Sequence, residues 1–172
     1  LIRSTSRPRD FHVPTHRETA DEWGGRIAVP RTLPPDWFLL LGRMSSDGYL
    51  CHLDLSYHLD RELTAIVQTS RPVPEHFRVK SLTTPRTQLA TYLTTSDRLP
   101  YRAAIAPLAT TTSRGEVHLD GVPVPVEIHH AHGCRSALLP HVPGQPGYLI
   151  VTAPDEHWTT VTDLVLQAPD AF

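Results

Sequence analysis

The stretch from Glu116 to His129 constrains this chain most, because two alternating runs meet there at Asp120-Gly121. Asp-Gly between alternating apolar residues is a strong hairpin signal. The two-residue turn needs positive φ at both central positions, and these two residues tolerate it. The turn sets the register, so that Leu119 faces Val122 and Val117 faces Val124. Val117, Leu119, Val122, Val124, Val126 and Ile128 then share one apolar face. Glu116, His118, Pro123, Pro125, Glu127 and His129 share the other, so one face meets a core and the other meets water or a partner. Arg114 falls opposite Glu127, a favourable cross-strand pair. Pro123 and Pro125 have no amide hydrogen to donate, which places their strand at a sheet edge or a bulge.

Other runs extend the pattern. Trp37–Met44 and Tyr49–Tyr57 flank the turn signal Ser45-Ser46-Asp47-Gly48 and read as a second hairpin. Tyr49, Cys51, Leu53, Leu55 and Tyr57 share one face of it. Glu62–Thr69 reads as a third strand, with a helical turn over Leu59–Val67 as the alternative. Residues 101–110 and Tyr148–Thr152 read as strands, and Val161–Gln167 as a strand or helix. Asp155 and Glu156 after Pro154 suit a brief helical turn.

A short helix opens at Thr15, where Thr15-His16-Arg17-Glu18 has capping-box spacing, and Gly24-Gly25 stops it. A second starts with Thr84 as cap and Pro85 at its first position and runs to about Leu93. Its apolar side is Leu89, Tyr92 and Leu93, and Trp23, Trp37 and Trp158 are expected core anchors. Seventeen prolines and frequent threonine disfavour long helices. The expected fold is α+β: mainly antiparallel β-sheet or a half-open barrel of roughly six to nine strands, with two or three short helices packed on one face.

With 172 residues, 40% hydrophobic and 20% charged, the chain is neither disordered nor collagen-like. Its longest apolar run, Trp37–Leu41, is far short of the ~20 residues that span a bilayer, so no membrane partner is expected. Residues 1–17 form a basic N-terminal arm: Arg3, Arg7, Arg9 and Arg17 against Asp10 give +3, leaving −5 on the single domain 18–172. Such an arm suits nucleic-acid phosphates or an acidic protein surface, the chain's own included. Lys80 is the only lysine, against fifteen arginines, which points to a GC-rich bacterial genome. Cys51 and Cys134 are expected as free thiols in a reducing cytoplasm, the expected compartment. Met44 is the only methionine, so a processed or trimmed end is expected at Leu1.

Two constellations bear on chemistry. In His129-His130-Ala131-His132-Gly133-Cys134, a continuing strand would put His130, His132 and Cys134 on one side. There they would suit Zn²⁺, with His118, His141 or Glu127 as further ligand; the alternative is a solvated sheet end. Cys134, with histidines close in sequence, is also the better nucleophile candidate of the two cysteines. The second constellation, His52, Asp54 and Ser56, names the residue types of a serine hydrolase. Residues two apart on a strand stand roughly 6–7 Å apart, however, so a polar strand face is the plainer reading of His52 and Asp54. Glycine-rich phosphate loops, Cys-x-x-Cys pairs and the Gly-x-Ser-x-Gly elbow are absent from the sequence.

Three functions follow as expectations. The leading one is a non-catalytic binding or interaction domain for a protein partner or a second copy, through an exposed sheet edge. The second is a small histidine-dependent hydrolase or lyase, with or without zinc, using residues 129–134. The third is nucleic-acid binding through Arg3, Arg7, Arg9 and Arg17.

Overall fold

A computed structural model of the chain describes residues 13–46, 50–72, 84–100 and 108–172. It contains helices α1 (His16–Trp23), α2 (Pro85–Thr95) and the single turn α3 (Trp158–Val161). The strands are β1 (Ile27–Pro30), β2 (Trp37–Ser46), β3 (Leu50–Leu59), β4 (Glu62–Pro72), β5 (Thr111–Leu119), β6 (Val122–Ala131), β7 (Cys134–Leu139), β8 (Tyr148–Pro154) and β9 (Asp163–Gln167). They form one strongly curled, half-barrel sheet in the order β1-β9-β5-β6-β7-β8-β4-β3-β2. Every pairing is antiparallel except β5 with β9. The fold is therefore α+β and dominated by antiparallel strands.

The Asp120-Gly121 hairpin has the register its turn dictates, with Leu119 opposite Val122 and Arg114 opposite Glu127. Asp120 and Gly121 both take positive φ, at 52° and 79°. Its apolar face enters the core at Val117, Leu119, Val126 and Ile128, while Val122 overshoots the core and is 61% exposed. The Asp120 carboxylate has a second role. It accepts from the Leu166 amide at 2.9 Å, while the Asp120 amide donates to the Leu164 carbonyl at 2.9 Å. One turn residue thus ties β9 alongside the β5–β6 hairpin.

The concave face holds the main core. Leu53, Leu55 and Tyr57 of β3, Ala65 and Val67 of β4, and Leu149 and Val151 of β8 pack there with Trp23 of α1 and Trp158 of α3. The convex face carries a separate cluster, in which Leu89, Tyr92 and Leu93 of α2 cover Leu63, Ile66, Ala131 and Cys134. The expectation of helices on one face is corrected accordingly: α1 and α2 lie on opposite faces. Alternation explains the division. Ala65 and Val67 point one way and Ile66 the other, and the bulge between Tyr57 and His58 turns Leu63 to the Ile66 side.

Local signals hold at most boundaries. Thr15 and Glu18 form the reciprocal capping box, and Gly24 ends α1 at φ 72°. Thr84 caps α2 with Pro85 at its start, and the helix continues to Thr95. Asp155–His157 forms a 3-10 turn. The second hairpin pairs Trp37 with Leu59 through Ser46 with Cys51, around a bulge at Leu40. Residues 62–72 are strand, so the helical alternative there is set aside, and Asp163–Gln167 is strand as well. Of the expected strand at 101–110, residues 101–107 lie outside the described residues, and 108–110 carry no regular structure. Tyr49, Arg3, Arg7 and Arg9 also lie outside, whereas Arg17 sits within α1 and is exposed.

The Asp120 anchor yields a stability prediction. Asp120→Ala removes a part-buried acceptor and puts a Cβ-branched-free but αL-averse residue into the turn, and should cost about 1–3 kcal/mol. Asp120→Asn keeps an acceptor oxygen and αL tolerance, and should cost less than half as much. Urea unfolding midpoints of the two variants check this ordering; equal losses would mean that the carboxylate bond to Leu166 contributes nothing.

Candidate functional site

Three places on the sheet bring together the residues singled out above. The first is the turn between β6 and β7. The chain does not continue as a strand through His132; it reverses there. His132 and Gly133 are the two central turn residues, with φ of 51° and 70°, and Ala131 pairs directly with Cys134. The expected side-by-side row of His130, His132 and Cys134 is therefore broken. His130 lies on the face of Thr111 and Val117, Cys134 lies on the opposite face beneath α2, and His132 is exposed at the turn.

These residues still border one open cleft of about 350 Å³, together with Thr110, Thr111 and Asp155. His130 and Asp155 are engaged by neighbours. Nε2 of His130 lies 2.6 Å from the Ser113 hydroxyl. Asp155 accepts from Arg135 Nε at 2.7 Å, and its amide donates to the Gly133 carbonyl at 2.9 Å. Burial pushes the Cys134 thiol up to about 11, with the nearby carboxylates of Asp155 and Glu156 adding to the shift and Arg98 opposing it. A thiol held protonated at neutral pH is not a ready nucleophile. His118 lies elsewhere, opposite Asp163 at the β5–β9 junction. His129 and Glu127 stay on the convex face, with His129 Nε2 3.2 Å from the Glu127 carboxylate. Among the described residues, no group of three or more His, Cys, Asp or Glu side chains is arranged to hold a metal ion.

The second place is the β3–β4 pair. Here hydrogen bonds run across the strands rather than along β3. His52 sits opposite Ser70 with Nδ1 2.7 Å from its hydroxyl, and Asp54 sits opposite Gln68 and accepts from its Nε2 at 2.8 Å. His52, Asp54 and Ser56 therefore do not form a triad. Ser70 has 0% exposure and His52 8%, so this Ser–His pair faces no solvent-filled space. Tyr148 follows Ser70 in the same row, and the Tyr148 hydroxyl and Gln68 Oε1 are buried without a hydrogen-bond partner among the described residues. Gly147, at φ 119°, passes so close to the Ser70 carbonyl that any Cβ there would collide with it. The pair and its neighbours form a packed polar layer inside the protein.

The third place is the pair of sheet ends. β1 is short, ends in proline and is buried at all four residues. β2 is ten residues long and is the last strand at the other end. Its first amide, that of Trp37, donates to the Pro34 carbonyl at 3.0 Å. Beyond it, β2 has β3 on one side and no strand on the other among the described residues. Helix α1 reaches β2 from the concave face: Thr19 packs into the space that a Cβ of Gly42 would fill. Phe38 and Met44 are each 38% exposed.

The proline-marked strand β6 differs from β2. It is interior over Ile128–Ala131, where β7 pairs with it, but Val122–Glu127 projects past β7. Leu119 and Val122 close the two-residue turn as a hydrogen-bonded pair, so Pro123 and Pro125 fall in the alternate, non-hydrogen-bonded pairs with His118 and Glu116. Their nitrogens point away from β5, toward the uncovered side. The prolines thus remove donors from that edge and oppose strand addition there.

Comparison with protein-family models, with curated proteins and with solved structures finds no match.

Sequence reasoning missed Ser113 and Ser70. Extending the Asp-Gly register to Thr111 opposite His130 would have placed Ser113 diagonal to His130. Ser70 depended on the β3–β4 register, which the bulge at Thr64 shifts.

The packing of Cys134 predicts its reactivity. Iodoacetamide at pH 8 should modify the native protein at partly exposed Cys51, and Cys134 only after denaturant is added. Peptide mass mapping reads the two sites, and rapid native labelling of Cys134 would contradict its burial beneath α2.

Proposed function

We propose that the protein is a binding domain that takes an extended segment of a partner protein along the outer edge of β2. The observation that supports this is the contrast between the sheet's free edges. β1 is short and buried, the β6 overhang is closed by two prolines, and β2 has ten residues with no proline. A long edge strand presents a row of backbone donors and acceptors that an incoming strand can pair. Exposed Phe38 and Met44, on opposite faces of β2, offer apolar contacts to either side of such a strand. The separation of His130, His132 and Cys134, and the burial of His52 and Ser70, weigh against reading either set as a catalytic centre.

The test is selection of 12-residue peptides on immobilised protein, followed by affinity measurement on the double variant Phe38→Lys, Met44→Lys. Exposed edge lysines oppose strand addition and change stability by only about 0.5 kcal/mol per site. Selected peptides should bind the variant at least tenfold more weakly, about 1.4 kcal/mol, while circular dichroism and unfolding midpoint stay close to those of the unmodified chain. Peptides that bind both proteins equally would place the interaction elsewhere. A dimer that the two lysines dissolve would make the partner a second copy.

A further inference from the structure

We propose that Ser113 is a covalent acyl-acceptor site, activated by His130. Three observations converge on it. The Ser113 hydroxyl lies 2.6 Å from His130 Nε2, within the range of a strong O–H···N bond. Both residues sit on paired strands of one hairpin, so the pair is held by the sheet and not by a loop. Ser113 is exposed, so an acyl donor can approach it from solvent, and its partner His130 also borders the 350 Å³ cleft, whose lining does not include Ser113 itself.

The contrast with His52 and Ser70 is informative. That pair has nearly the same distance, 2.7 Å, but its serine has no exposure and no acyl donor can reach it. The neighbouring thiol of Cys134 does not compete, because it lies buried under α2.

The donor class is an activated ester or thioester of a short acid. In the tautomer that carries its proton on Nδ1, His130 Nε2 accepts the Ser113 hydroxyl proton as Oγ attacks the carbonyl carbon. The Oγ–C bond forms, the bond from carbonyl carbon to leaving oxygen or sulfur breaks, and Nε2 returns the proton to the leaving group. No electrons are transferred, and the product is the Ser113 ester. This site is separate from the β2 edge and stands independently of the binding proposed there.

The test uses p-nitrophenyl acetate as donor and the full chain as acceptor. Intact mass and peptide mapping should show one acetyl group on Ser113 accompanying release of p-nitrophenolate. Ser113→Ala should abolish that modification. His130→Gln, which keeps a polar side chain of similar reach, should slow it about 100-fold. Ser70→Ala should leave it unchanged, and thermal unfolding confirms that each variant is folded. Acetylation confined to the N-terminus or Lys80, no acetylation at all, or acetylation of Ser113 at the same rate in His130→Gln would each overturn the proposal.

Discussion

The sheet is continuous because of one short parallel junction. β9 meets β5 at two residue pairs, His118 with Asp163 and Leu119 with Leu164. A two-pair contact is weak by itself, so the Asp120 carboxylate and amide extend it to Leu166 and Leu164. The His118 amide adds a bond to the Thr162 carbonyl at 2.7 Å, and Arg31 pairs with Asp163 at 3.0 Å. Among the described residues, β1 is hydrogen-bonded into the sheet through β9. The same junction brings Trp158 and Val161, which precede β9, over the concave face where the core forms.

Placing β1 and β9 at one end leaves the first hairpin strand, β2, at the other. The ends are treated differently. β1 is four residues long and all four are buried. The β6 overhang could have paired, but Pro123 and Pro125 turn donor-free positions toward it. β2 lacks both devices and keeps a bulge at Leu40, which bends the strand locally without sealing it. Among the described residues, the sheet therefore has two protected free edges and a third, β2, with no strand on its outer side.

Much of this was readable from local chemistry. Asp120-Gly121 specified a register through nine residue pairs, and Thr84-Pro85 and Thr15-Glu18 marked helix starts, because turns and caps are decided within a few residues. What was not readable depended on relations between distant segments. The parallel docking of β9, the placement of α1 and α2 on opposite faces, and the cross-strand partners of His52 and Asp54 all follow from tertiary packing. The histidine-rich stretch misled for a specific reason. It reads as strand by alternation, but His132-Gly133 is a two-residue turn like Asp120-Gly121, and a reversal there separates the side chains that a straight strand would align.

The most direct test of the open edge is residue-resolved amide hydrogen exchange on the protein alone. Over Phe38–Ser46, amides that point to β3 should be protected. Those that point away should exchange at rates near those of an unstructured peptide, giving an alternation interrupted once at the Leu40 bulge. Strong protection at every amide from Phe38 to Ser46 would show that β2 is already covered, and would contradict its role as the site of partner binding.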